Sequence, residues 1–399
     1  MRQFPEIGDT GPQWEAPTER APGFPPAMPP LPRATEPANP YAGTLPLRRV
    51  VGLNAPTPRS TRPGQPRRGR WLRVLRYSLL ALTLVTLVLG GVVAHRLYDF
   101  GSAISTRNPL SSQTGYVSGA GRINVLIMGY GGGSHDGANL TDSMMVISLI
   151  PNGGVTTMIS VPRDLWIPVP GKGSADAKLN TAYQDGLSGG YNGEPAGRTA
   201  GGDEAARAVS DIIGLPVRFW VTIDFTGFRK LVDALGGVAI TVPTAFTAQY
   251  PRNDDPRIDP GWKTIHFNTG PQRMTGEQAI EYARARYVTD PVSEGSDFAR
   301  SARQQLLIHA ILARARQVAA WPGLGGALDA LQTSIYTNLS LSDLALFAEK
   351  IDATHAGHIG LTNQNVLVDS QSADGQDILL PANGDWNAIK AYVAAHLKA

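Results

Sequence analysis

The sequence predicts an α/β domain with helices on both faces of a sheet, placed behind one membrane-spanning helix and a disordered tail. Three observations carry that prediction. Short apolar runs that read as strands alternate with helical stretches from Arg122 onward. An uncharged run of Leu, Val and Ala extends from Tyr77 to Ala94. The segment before that run is rich in proline and arginine and has no helical or strand period.

Residues 1–70 contain runs such as PPAMPPLP. Such a segment cannot bury enough apolar surface to offset its chain entropy, so a disordered tail is expected. With its flanks, residues 71–97, the uncharged run has the length of a single transmembrane helix, roughly 20 residues. Arg62, Arg67, Arg68, Arg70, Arg73 and Arg76 lie on its N-terminal side, and only His95, Arg96 and Asp99 lie just beyond it. The positive-inside rule then places the tail in the cytoplasm and everything after residue 97 outside, in a single-pass protein of the cell membrane. Residues 98–120 read as a polar stalk, and 121–399 as the folded domain.

The strands expected in that domain are INVLIMG (123–129), MMVISLI (144–150), VTTMISV (155–161), VRFWVTI (217–223) and VAITV (238–242). The helices are AARAVSDIIG (205–214), with Gly214 as its cap, and DFTGFRKLVDALGG (224–237), whose Phe225, Phe228, Leu231, Val232 and Leu235 share one face. Three more follow: 298–320, 340–351 behind a serine cap, and 386–397.

Composition narrows the function. There is no cysteine, which excludes disulfides and thiolate chemistry. Residues 1–76 hold twelve Arg, no Lys and five acids, while the rest holds 24 basic and 28 acidic residues. The basic character belongs to the tail; the folded part is slightly acidic, so no nucleic-acid partner is expected. No nucleophile elbow of the G-x-S-x-G type appears, and the histidines lack zinc-site spacing.

What stands out is a set of arginines. In GSDFARSARQQ (295–305), Asp297, Arg300 and Gln304 are spaced i, i+3, i+7 and fall on one face of a helix near its N-terminus, where the macrodipole favours an anion. Arg303 joins that face or packs on its flank. Just upstream, EYARARY (281–287) places Arg284 and Arg286 two apart, on one face if the backbone is extended. Guanidinium matches phosphate geometry because its planar fork donates two hydrogen bonds at once. A second cluster comprises Asp142 in NLTDSMM and Arg163–Asp164 in SVPRD, at strand ends where α/β folds bind ligands, with Lys178 and Asn180 following in KLNTAYQDG.

The order LTDSMM, SVPRD, KLNTAY, DFTGF, LVDALGGV, MTGEQAIEYARARY, DFARSARQQ resembles the LytR-CpsA-Psr family of envelope proteins over residues 121–340. The resemblance implies a three-layer α/β/α sandwich with a mixed central sheet and an apolar groove for a lipid. It implies a phosphotransferase that moves a glycopolymer from a polyprenyl-pyrophosphate carrier to peptidoglycan, with membrane lipid as a further partner. Arg163, Arg284, Arg286 and Arg300 match the family's pyrophosphate-binding arginines, Gln304 its motif glutamine, and Asp142 and Asp297 two of its acidic residues. Asp142 stands where the family holds a magnesium-associated carboxylate, so Mg²⁺ is the implied cofactor. Either Asp142 or Asp297 can take the acceptor's proton. Phe219, Phe225, Phe228 and Leu231 are candidates for the groove, and the loops 187–203 and 249–262 for polymer recognition.

Two departures matter. Many relatives carry an aspartate directly after the glycine that ends the first strand; here Tyr130 follows Gly129, leaving the metal to Asp142 alone with phosphate oxygens, or to Asp136. Little sequence follows residue 352, so 353–399 is expected to complete the same domain. A lipid-binding scaffold without catalysis is the competing reading that Tyr130 favours. A transcriptional attenuator would need a DNA-binding element, and the tail has no helix-turn-helix pattern.

Overall fold

The computed structural model describes residues 68–106, 121–134, 136–151, 155–172, 175–255, 257–317, 328, 331–352 and 355–397. The expected tail up to residue 67, and the stalk over 107–120, lie outside the described residues.

Helix α1 (Arg68–Ile104) contains one segment, Trp71–Ile104, that is long and apolar enough to cross a membrane. Its side chains are exposed from Trp71 to Asp99. The helix runs past residue 97, where a polar stalk was expected. Phe100 and Ile104, four apart and so on one helix face, are buried with Leu331 against Leu231, Ala234 and Ile335. Ser105 then bridges to Thr337 and donates its hydroxyl to the Leu339 carbonyl at 2.7 Å. The apolar helix is therefore docked on the folded domain at its C-terminal end.

The central sheet is built from β1 (Ile123–Tyr130), β2 (Thr141–Ile150), β3 (Val155–Ser160), β6 (Phe219–Asp224), β12 (Ile335–Thr337) and β13 (Gly357–Gly360) in the order β12-β6-β1-β2-β3-β13. It is mixed, as expected: β1 runs parallel to β6 and antiparallel to β2, and β13 runs parallel to β3. Alternate residues of each strand serve opposite faces. Leu126, Met128, Val146, Ile159 and Trp220 face one core, under α2 (Thr181–Gly189), α3 (Arg198–Ile213) and α8 (Trp386–His396). Val125, Met145, Ile147, Met158 and Phe219 face the other, under α6 (Asp297–Ala315) and α7 (Leu341–Lys350). The result is the three-layer sandwich.

Close approach of α3 to the sheet depends on one glycine. A Cβ at Gly202 would stand 2.1 Å from the fully buried Trp220 ring. Gly202→Ala is therefore expected to cost about 1–3 kcal/mol or more through overpacking. Thermal unfolding that matched the wild type would contradict this packing.

A second apolar cluster lies beside the sandwich. It joins α4 (Phe225–Ala234), α5 (Gly276–Arg284) and α6 to the pair β7 (Val238–Val242)–β10 (Gly270–Met274), and to the three-stranded sheet β11 (Tyr287–Asp290)–β8 (Phe246–Pro251)–β9 (Trp262–Phe267). VAITV thus forms a strand outside the central sheet. Only Val238, Ile240 and Val242 are buried, and a strand apolar on one side does not suit a sheet covered on both. The short pair β4 (Trp166–Pro168)–β5 (Asp176–Lys178) and the hairpin β14 (Leu367–Gln371)–β15 (Asp377–Pro381) were not legible as strands; the hairpin and α8 lie within residues 353–399. The proposed groove residues are core instead: Phe219 and Phe225 are buried, and Phe228 and Leu231 pack onto apolar clusters. Of the two recognition loops, 187–203 is a connection over 190–197 between the end of α2 and the start of α3, and 249–262 is mostly the tip of the β8–β9 hairpin.

Candidate functional site

Asp142, the second residue of β2, meets the segment leaving β3. Arg163 donates from Nη1 to Asp142 Oδ1, and from Nε to Asp164 at 3.3 Å. Lys178 reaches the other Asp164 oxygen at 3.1 Å. Burial alone would raise the Asp164 pKa; Arg163 and Lys178 outweigh it and hold the carboxyl below its ordinary value. Asn180 acts through its backbone, its N–H donating to the Arg163 carbonyl at 3.0 Å.

Helix α6 faces this cluster. Ser296 caps it by accepting from the Ala299 N–H at 3.2 Å, and Asp297 pairs with Arg300 in the first turn. Between α6, the ends of β2 and β3, and the segment from His358 to Asp369 lies a cleft of about 730 Å³. Asp142, Arg163, Asp297, Arg300 and Gln304 all line it. Gln304 accepts from the Ser143 hydroxyl at 2.9 Å and donates to the Ala283 carbonyl at 3.4 Å, tying β2 to the last turn of α5.

Arg284 and Arg286 are not on an extended segment. The capping box of Thr275 and Gln278 starts α5, which ends at Arg284; Arg286 follows the non-helical Ala285. The two arginines consequently differ. Arg284 lies over the Phe225 ring at 3.8 Å, donates to Tyr250 at 2.9 Å and Asp254 at 2.7 Å, and approaches Asp142 at 3.7 Å. Asp254 is held in turn by Arg229 at 2.6 Å. Arg286 makes no ion pair or hydrogen bond among the described residues. Part of its side chain is exposed, yet loss of hydration around the head, then the charges of Arg163 and Arg300, push it down to about 10. Arg300 is lowered by burial and, less, by Arg163, against the opposing pull of Asp297. Arg163, Arg286 and Arg300 therefore form a mutually repelling triad.

Arg303 is not part of the cleft's free charge. It is 2% exposed and donates to the carbonyls of Tyr282 at 2.8 Å, Ala285 at 2.8 Å and Glu294 at 2.7 Å, and to the Glu294 carboxylate at 3.2 Å. It thereby fixes the backbone from which Arg284 and Arg286 project. Sequence reasoning missed Tyr250 and Asp254 as partners of Arg284; a lone Asp in a hairpin tip gives no such signal. It also missed the wall formed by residues 358–369.

Tyr130 does not take the cleft position that the resemblance gives to a carboxylate. A register shift after Gly129 turns it into the core, 5.4 Å from the Tyr183 ring, where burial, then Tyr183 and Asp224, raises its pKa. Asp136 is exposed beside Arg257 and does not line the cleft. Among the described residues no three His, Asp or Glu side chains gather as a metal site. Asp142 and Asp297 both line the cleft and each is already paired with an arginine, so an Mg²⁺ ion at Asp142 would need phosphate oxygens and water for its remaining ligands.

The LytR_cpsA_psr family profile matches residues 95–393, three quarters of the chain. The chain belongs to that family. Among its relatives is the Bacillus mycoides polyisoprenyl-teichoic acid–peptidoglycan teichoic acid transferase TagU, 27% identical over 273 residues, which span 66% of this chain and 79% of TagU. Bacillus subtilis TagV, named for the same reaction, is 24% identical over 324 residues, covering 79% of this chain and 74% of TagV. Among solved structures, protein gbs0355 of Streptococcus agalactiae superposes with a TM-score of 0.53 at 24% identity, over 72% of this chain and 91% of gbs0355, which supports the fold.

Proposed function

We propose that this family member is a membrane-anchored phosphotransferase that moves a glycopolymer from a polyprenyl-pyrophosphate carrier to peptidoglycan. The observation that carries the reading is the triad of Arg163, Arg286 and Arg300 beside a cleft. Loss of hydration and the nearby charges of Arg163 and Arg300 oppose the charge of Arg286, which has no ion pair among the described residues, and a pyrophosphate would relieve that cost. The names of TagU and TagV support the same reaction class.

In this mechanism the pyrophosphate lies across the triad at the start of α6. A peptidoglycan hydroxyl attacks the phosphorus bearing the glycan. One P–O bond forms to the acceptor oxygen, and the bond to the bridging oxygen breaks. Polyprenyl phosphate leaves with the electron pair, and the hydroxyl proton passes to Asp142 or Asp297. The arginines stabilise charge gathering on the bridging and non-bridging oxygens. Asp142, together with phosphate oxygens, would hold Mg²⁺, which would supply further neutralisation of that charge. Water in place of the acceptor would make the protein a slow pyrophosphatase. Helix α1 anchors the domain, with the arginine-rich side cytoplasmic and the cleft outside.

The test uses the full chain in detergent with a polyprenyl-pyrophosphate glycan and a peptidoglycan acceptor. Release of polyprenyl phosphate with glycan joined to the acceptor is expected, stimulated by Mg²⁺ and lost in Asp142→Ala. Asp297→Asn identifies the base: loss of transfer with lipid binding intact assigns the proton to Asp297, and surviving transfer assigns it to Asp142. Tight lipid binding with no release under any condition would instead establish a non-catalytic carrier.

A further inference from the structure

A second concavity lies away from the arginines. It has a volume of about 410 Å³ and is walled by Trp166 of β4, Asp176 of β5, Val368 of β14, Leu380 of β15, Asn383 and Trp386 at the start of α8. That volume falls within the range of small-molecule sites, roughly 300–1,000 Å³. We propose that this pocket binds an uncharged pyranose ring of a glycan chain.

The walls favour a sugar over other ligands. Two half-buried tryptophans line the pocket, and the negative quadrupole of an indole face attracts the C–H groups of a pyranose. Between them stand polar groups with unused hydrogen-bonding capacity. The Asp176 carboxylate, the Asn383 amide and both indole N–H groups have no hydrogen-bond partner among the described residues. Hydroxyls of a sugar could satisfy all four. Asn383 itself sits in the left-handed region, with φ at 56°, a conformation Asn tolerates better than most residues. A lipid tail would leave these polar groups dry and unpaired, at a cost in free energy.

The charge of the pocket sets it apart from the cleft. No basic residue lines it. Lys178, which pairs with Trp166 across the strands, is drawn to Asp164 instead. An anionic phosphate or uronic acid would meet only the Asp176 carboxylate, so a neutral ring is the better match.

Its position relates it to a polymer. In the β14–β15 hairpin Val368 pairs with Leu380 and Asp369 with Leu379. Val368 and Leu380 line the tryptophan pocket, whereas Asp369 and Leu379 line the arginine cleft. The two sites back onto opposite faces of one hairpin, and β4 leaves directly from the Arg163–Asp164 segment. A single sugar serves one site; a polymer can engage both. That last step rests on the transferase reading, whereas sugar binding itself does not.

The test is titration calorimetry on the full chain in detergent. One probe is a neutral galactose tetrasaccharide, standing for a glycopolymer; the other is a peptide-free peptidoglycan tetrasaccharide, which carries carboxylates. Saturable binding of the neutral probe, tighter than that of the charged one, supports the site; tighter binding of the charged probe would overturn it. Asp176→Ala and Asn383→Gly should each weaken binding about tenfold, the share of one good hydrogen bond. Trp386→Phe, which keeps an aromatic ring, should weaken it less. Arg286→Ala should leave it unchanged even if turnover is abolished. No binding of either probe up to about 10 mM, or equal binding by wild type and all pocket variants, would overturn the site. Turnover without sugar binding would remove this inference and leave the transferase standing; sugar binding without turnover would do the reverse.

Discussion

Replacing Arg303 with methionine is expected to lower the stability of the fold by about 3–5 kcal/mol, the usual consequence of removing one partner from a buried charged network. Methionine fills much of the space, so the loss comes from hydrogen bonds. The carbonyls of Tyr282, Ala285 and Glu294 each lose their Arg303 donor, and the Glu294 carboxylate loses its cation. Arg303→Lys should recover less than half of the deficit, because an ammonium cannot reproduce the planar fork that spans three carbonyls. Thermal unfolding of the full chain in detergent would show the change, and a loss under about 1 kcal/mol would refute the assignment. Turnover should also fall in the surviving folded protein, because Ala285 is the residue between Arg284 and Arg286.

This case shows where the sequence was readable and where it was not. The spacing of Asp297, Arg300 and Gln304 puts them on one side of α6, because a 3.6-residue period is a local property, and all three line the cleft. The same spacing left Arg303 undecided between cleft and flank. Its burial depends on α5 and the turn at Glu294 arriving from elsewhere in the chain, which no local period encodes. The two-residue spacing of Arg284 and Arg286 misled in the opposite way. A shared face requires extended backbone, but Thr275 and Gln278 had already committed the preceding residues to a helix. The capping box was present in MTGEQ and could have corrected that reading.

The fold was legible for a related reason. INVLIMG and its neighbours are apolar on both sides, and this continuous pattern marks strands covered by helices on two faces. VAITV alternates after all, and the structure sets it in a peripheral sheet. The edge pairs β4–β5 and β14–β15 were invisible because each strand spans only three to five residues. Those short strands nonetheless form walls of both the cleft and the tryptophan pocket. The sandwich was thus predictable from strand pattern, whereas the recognition surfaces came from segments too short to carry a pattern.

Removing one guanidinium of the triad is expected to separate activity from stability. Arg286→Ala should reduce pyrophosphate turnover by about 10²–10³-fold, the effect of deleting one preorganised donor to a developing oxyanion. Its melting temperature should stay the same or rise. Arg286 has no ion pair among the described residues, and Arg163 and Arg300 repel it. Arg163→Ala should lower both quantities, because Arg163 is the partner of Asp142 and Asp164. The pH dependence follows from the sign of the shift. Arg286 is held at about 10 in the fold, below its ordinary 12.5. Its charge therefore disfavours the folded state at every pH below about 10, and the penalty fades only as pH climbs through that value. Across the near-neutral range this contribution is flat, so any pH profile of turnover there belongs to other groups. Inorganic pyrophosphate should raise the melting temperature of the wild type and do so less in Arg286→Ala, since ligand binding to the folded state stabilises it in proportion to affinity. A melting temperature several degrees lower in Arg286→Ala would mean that Arg286 supports the fold, and turnover that survives the substitution would mean that it does not bind the reacting anion.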